Sequence, residues 1–149
     1  MLKRSQVKSF LSQYPRYEDE TLGMYYAPRM PKAMIKETEE VIALARKFNS
    51  EVARPLCLEL DRKTHEDPDY FPMELVKKAN EWGLYTLWIP KMYGGRGYNM
   101  PSISSFLEEV GSVCVGIANV IGVHYLGMTG VMMSCNTKVT KKVLSEVIE

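Results

Sequence analysis

Residues 113–135, VCVGIANVIGVHYLGMTGVMMSC, decide how this chain is read: no side chain in them is formally charged, apart from the titratable His124. A helix of that length, rising about 1.5 Å per residue, reaches across a bilayer or through the middle of a helical bundle. Asn119 and His124 would be costly against lipid, and Gly116, Gly122, Gly127 and Gly130 each lower helix propensity by about 1 kcal/mol relative to alanine. Packing must compensate for them. The glycine offsets repeat no Gly-x-x-x-Gly seam, so the stretch is read as a helix inside a helical cluster, with no membrane span.

The rest of the chain fits that reading. With 149 residues, 46% hydrophobic and 25% charged, it has the composition of one globular domain with a real core. Nineteen basic residues against eighteen acidic leave a formal charge of +1, which gives no electrostatic case for nucleic acid or an anionic membrane surface. The three cysteines, Cys57, Cys114 and Cys135, form no Cys-x-x-Cys pair and leave one unpaired in any disulfide scheme, as expected in a reducing, cytoplasmic setting. The first twenty residues hold no apolar run of signal-peptide length, so secretion is not expected.

Outward from the apolar stretch, helical periodicity recurs. Met34, Val41, Ala45, Phe48, Val52 and Leu56 form one stripe from residue 32 onward, opposite Glu37, Glu39, Glu40, Lys47 and Glu51. Pro55 predicts a bend or the last turn of that helix. Residues 61–69 read as a polar connection; Asp61, His65, Glu66, Asp67 and Asp69 fit neither an EF-hand nor a zinc spacing, and no metal site is expected. Pro72 then opens a short helix with Leu75, Val76, Ala79 and Trp82 facing inward and Gly83 ending it. Residues 84–90, LYTLWIP, read as extended. The YGGRGY run at 93–98 lacks the Gly-Lys-Ser/Thr of a Walker loop and the spacing of a dinucleotide fingerprint, and reads as a tight turn. Ile103, Phe106, Leu107 and Val110 supply the buried face of the next helix, and Val139, Val143, Leu144 and Val147 that of the last, capped by Thr137. Residues 1–31, cut by Pro15, Pro28 and Pro31 around four tyrosines, read as an attached N-terminal extension, either a docking arm or a loosely packed part of the same domain. His124, alone on an apolar helix, reads as a hydrogen-bonded core residue and not as a base.

These residues together carry a resemblance. Asp61-Arg62, Phe71-Pro72, Leu75, Gly83-Leu84, Ile89-Pro90, Tyr93-Gly94-Gly95, Gly97 and Glu108-Glu109, followed by the glycine-containing apolar helix, resemble the N-terminal helical domain of the flavin-dependent acyl-CoA dehydrogenases over residues 33–148. The resemblance implies an all-α helical bundle over residues 32–149. It also implies a parent protein that adds a middle β-domain and a C-terminal helical domain, binds FAD, and desaturates an acyl-CoA thioester by removing an α-proton while hydride leaves the β-carbon. An electron-transfer acceptor and a homo-oligomer follow from the same likeness. The catalytic carboxylate and most flavin contacts fall in the domains beyond residue 149, so no catalytic and no cofactor-binding residue is expected here, and the chain alone is expected to be inactive.

The resemblance also implies substrate contacts. Aligned on Glu108-Glu109 and Leu126-Gly127, the apolar helix places Ala118, Gly122 and Leu126 along the fatty-acyl tail, at a spacing of four and four that is one helical stripe. Small residues at Ala118 and Gly122 either leave room for a bulky or long acyl group or only let two helices pack closely. Residues 135–142, CNTKVTKK, depart from the family's usual pattern and leave the subfamily open. The alternatives from other classes are a free-standing helical interaction module and a small membrane protein built on residues 113–135.

Overall fold

The computed structural model describes residues 31–148; the N-terminal extension read from the sequence lies outside them, except for Pro31. The described chain contains no strand. It runs α1 (Lys32–Phe48), a π-helical turn (Asn49–Ala53), α2 (Arg54–Glu66), α3 (Met73–Glu81), two short 3₁₀ turns (Leu84–Thr86 and Lys91–Tyr93), α4 (Met100–Gly111), α5 (Val115–Met133) and α6 (Thr137–Ile148). This is the all-α architecture that the periodicity and the resemblance led us to expect.

The pair α1 and α4 is the most extensively packed in the molecule. Val41, Ala45, Phe48 and Val52 are buried as the stripe requires, with Thr38 and Ile42 beside them. The Glu37 carboxylate accepts hydrogen bonds from the Asn99 N–H at 2.8 Å, Asn99 Nδ2 at 2.6 Å and Ser102 Oγ at 2.8 Å, while Asn99 caps α4 by accepting from the Ser102 N–H. At the far end, Asn49 Nδ2 donates to the Glu109 carbonyl at 2.8 Å and Arg46 pairs with the Glu109 carboxylate at 3.3 Å. Since low numbers meet low and high meet high, α1 and α4 run parallel. Three charge-assisted bonds on one carboxylate predict that Glu37→Ala costs about 1.5–3 kcal/mol. Urea unfolding reads this directly, and a loss below about 0.5 kcal/mol, the range of ordinary surface changes, would contradict it.

Three sequence expectations are corrected here. The first helix does not end near Pro55. The Arg54 N–H donates to the Asn49 carbonyl five residues back, and this wider turn carries the chain into α2 with Pro55 in its first turn, where a missing N–H costs little. Residues 61–66 are therefore helical, not a connection; Glu59–Lys63 and Arg62–Glu66 pairs at i, i+4 favour that conformation. Residues 84–90 form no strand either. Leu84–Thr86 is a 3₁₀ turn, and the following carbonyls are taken by the 96–98 loop: Arg96 N–H to Thr86, Tyr98 N–H to Leu87 and Gly97 N–H to Ile89, all at 2.9–3.0 Å. Glycine is required at 95 because a Cβ would lie 2.1 Å from the Ile89 carbonyl oxygen.

Helix α5 also differs from its expected setting. Ile117, Ile121 and Tyr125, one i, i+4 stripe, are buried, but Val115, Val123, Leu126 and Met133 are 74%, 57%, 72% and 75% exposed. The sequence placed this helix inside a cluster; the described residues cover one side of it. Among the described residues its main packing partners are α3, α4, α6 and the Leu84–Thr86 turn, and they meet one side of it. By length and composition α5 is apolar enough to cross a membrane.

Candidate functional site

The apolar wall of α5 is the place to look for function. Its approach to α4 is set by small residues: a Cβ on Gly111 would meet the Ala118 methyl at 3.7 Å, and one on Gly122 would meet the Leu107 methyls at 3.5 and 3.6 Å. The numbers run in opposite directions, so α5 returns antiparallel to α4. Of the three residues expected along an acyl tail, Ala118 and Gly122 are half-buried and border α4, whereas Leu126 stands on the open face. Ala118 and Gly122 thus take part in close helix packing.

Two grooves flank α5, sharing Val120. The first, about 460 Å³, lies between α2 and the start of α5 and is lined by Cys57, Leu60, His65, Tyr70, Cys114 and Ile117 among others. The second, about 690 Å³, lies between α3, α5 and α6. It contains Tyr85 and His124, whose rings are 4.6 Å apart, a pairing that connects a turn and a helix far apart in sequence. His124 Nε2 is shielded from solvent and has no hydrogen-bond partner among the described residues. Burial pushes the His124 imidazole below its ordinary range, opposed by a hydrogen bond with the Tyr85 backbone.

Beside it, the Tyr125 hydroxyl donates to the Leu84 carbonyl at 2.6 Å and ties α5 to the turn after α3. Burial, with a smaller contribution from Tyr85, raises the Tyr125 phenol far above its usual value. The folded state thus keeps its proton while the unfolded chain loses it near pH ~10. This contribution to stability is complete below that pH and is lost as pH rises above it. Urea midpoints measured from pH 8 to 11 are expected to fall at the alkaline end and to fall less steeply in Tyr125→Phe. Identical slopes would contradict this assignment; Tyr85, which burial also raises, contributes to the slope that remains.

The glycine loop is not a phosphate cradle. Gly94 and Gly97 have φ of 93° and 65°, the left-handed turn positions, and the N–H groups of Arg96, Gly97 and Tyr98 are committed to the carbonyls of Thr86, Ile89 and Leu87. Among the described residues no three His, Cys, Asp or Glu side chains come together as a metal site. The described chain is therefore an all-helical scaffold with one exposed apolar wall.

Comparison with known proteins identifies the scaffold. Residues 35–149 match the profile of the acyl-CoA dehydrogenase N-terminal domain. A short-chain specific acyl-CoA dehydrogenase of Clostridium acetobutylicum is 29% identical over 113 residues, 76% of this chain and 25% of that protein. An acryloyl-CoA reductase (NADH) of Anaerotignum propionicum is 32% identical over 98 residues, 66% of this chain and 24% of that protein. A 3-(aryl)acrylate reductase of Clostridium sporogenes is 34% identical over 85 residues, covering 57% and 21%. No solved structure matches. The chain belongs to the acyl-CoA dehydrogenase family and carries its N-terminal helical domain. It spans about a quarter of the length of the curated relatives it matches.

Proposed function

We propose that this chain is the N-terminal domain of a flavin-dependent enzyme that desaturates an acyl-CoA thioester between its α and β carbons, and that α5 forms one wall of the acyl pocket. The observation that carries this reading is the exposed apolar face of α5, Val115, Val123, Leu126 and Met133, in a chain that matches only a quarter of its relative's length. A face of that kind asks for a cover. In the proposed parent, a middle β-domain and a C-terminal helical domain cover it, and the acyl tail runs beside Ala118, Gly122 and Leu126. Residues 1–31 form an extension ahead of this domain.

Flavin, when bound, accepts the hydride from the β-carbon. In the glycine loop the N–H groups of Arg96, Gly97 and Tyr98 are bonded to the carbonyls of Thr86, Ile89 and Leu87. On this reading, as the family resemblance implies, binding of FAD and abstraction of the α-proton fall to other domains of the parent protein, and the 149-residue chain is inactive alone. The whole protein takes an acyl-CoA, passes electrons to an acceptor, assembles as a homo-oligomer and works in the cytoplasm.

The test is to express this chain joined to its native downstream sequence. A yellow protein with flavin absorbance, bleached by acyl-CoA without oxygen, is the expected result. A free-standing helical interaction module would stay colourless with the same downstream sequence supplied, and would overturn the proposal.

A further inference from the structure

We propose that His124 is an acid-sensitive latch: neutral, it seats α5 against the Leu84–Thr86 turn; protonated, its ring leaves that seat for the groove between α3, α5 and α6. The seat is built by rings from the two elements it joins. Tyr85, from the turn, lies 4.6 Å from the imidazole with the planes tilted by 55°, and Tyr125, the next residue of α5, meets it edge-on at 6.2 Å. Beside it, the Tyr125 hydroxyl fastens the same two elements through its 2.6 Å bond to the Leu84 carbonyl.

Shielding makes this seat selective for the neutral ring. An imidazolium is a donor at both nitrogens, whichever tautomer the neutral ring adopts. Nε2 is shut off from solvent and has no partner among the described residues, so a proton taken up in place leaves a buried charge with an unbonded N–H. The Tyr85 face attracts a cation but supplies no acceptor. Lys77 and Asn80 of α3, Asn119 of α5 and Glu146 of α6 line the groove with Tyr85 and His124, and none of them is bonded to Nε2. Rotated into the groove, a protonated ring gains water, with Glu146 favouring the added charge and Lys77 opposing it.

Burial accordingly lowers the affinity of the imidazole for protons, with the Tyr85 backbone acting more weakly the other way. The folded chain thus binds fewer protons than the unfolded one, where an imidazole titrates at pH ~6.5. This contribution to stability is complete above that pH and is lost as the pH falls below it. Because α5 is also the wall we assign to the acyl pocket, the latch ties the seating of that wall to pH, although the latch itself does not depend on that assignment.

The test is an NMR titration of the 149-residue chain from pH 8 to 5.5. His65, whose side chain is 80% exposed, is replaced (His65→Gln) so that one imidazole remains. The His124 midpoint should lie below that of the same imidazole in the urea-unfolded chain, and Overhauser contacts between the His124 and Tyr85 rings, present at pH 8, should vanish as the imidazole protonates. Urea midpoints over the same range should fall toward acid in His65→Gln and stay flatter in His65→Gln/His124→Gln; if the double variant does not fold, the titration alone decides. A folded-state midpoint at or above the unfolded one, ring contacts that persist in the protonated state, or equal acid losses in the two variants would overturn the proposal.

Discussion

Replacing Phe48 by alanine is expected to remove about 3–5 kcal/mol of stability. Phe48 is wholly buried, sits where α1 passes into the π-helical turn, and meets the Trp82 ring edge-on with centroids 5.6 Å apart. Truncation leaves a cavity among residues from α1, α3 and α4 that cannot collapse together without moving the Asn49–Glu109 bond. Since domains of this kind are stable by about 5–15 kcal/mol in total, the variant should lie near the edge of folding at 25 °C. Urea unfolding followed by circular dichroism gives the number, with Leu58→Ala, 81% exposed, as the control expected within about 0.5 kcal/mol of the parent. A Phe48→Ala midpoint equal to that of the control would mean the core is not where we place it.

The second large effect concerns substrate choice. In the full-length enzyme we propose, Gly122→Leu should lower kcat/KM for long or branched acyl-CoA by about 10–200-fold, the range a few carbons command in an apolar pocket, and spare short acyl-CoA. The side chain must pass Leu107, whose methyls are 3.5 and 3.6 Å from the position of the new Cβ, so crowding of α4 against α5 is a competing cause. Leu107→Ala separates the two. If crowding alone is at work, the double variant regains activity on every substrate; if the new side chain fills the acyl pocket, long-chain activity stays low while stability recovers. Unchanged long-chain activity in Gly122→Leu would remove Gly122 from the pocket.

Much of the fold was legible because its signals are local. The stripe from Val41 to Val52, Gly83 at the end of α3 and the turn glycines at 94 and 97 each report on a few neighbouring residues, and each stands where the pattern put it. The π-helical turn was hidden because Pro55 normally ends a helix, and nothing local announces that a five-residue hydrogen bond will carry the chain past it. Residues 61–66 misled for a related reason: charged runs read as loop, yet their i, i+4 pairs favour helix. Pairings across the fold were not legible. Tyr125 to Leu84 spans 41 residues, and neither it nor the tilted Tyr85–His124 ring contact has a sequence signal of its own.

The apolar stretch was read correctly as a helix and incorrectly as enclosed. Composition tells how much apolar surface a helix carries, not which polypeptide covers it. That gap is where the functional reading rests, and it can be measured. With Cys57, Cys114 and Cys135 replaced by alanine and Leu126 by cysteine, the rate of thiol labelling at position 126 can be compared between the 149-residue chain and the full-length protein. The account predicts rapid labelling in the short chain, labelling at least about tenfold slower in the full-length protein, and further protection on adding acyl-CoA. Equal rates in both proteins, indifferent to acyl-CoA, would contradict it.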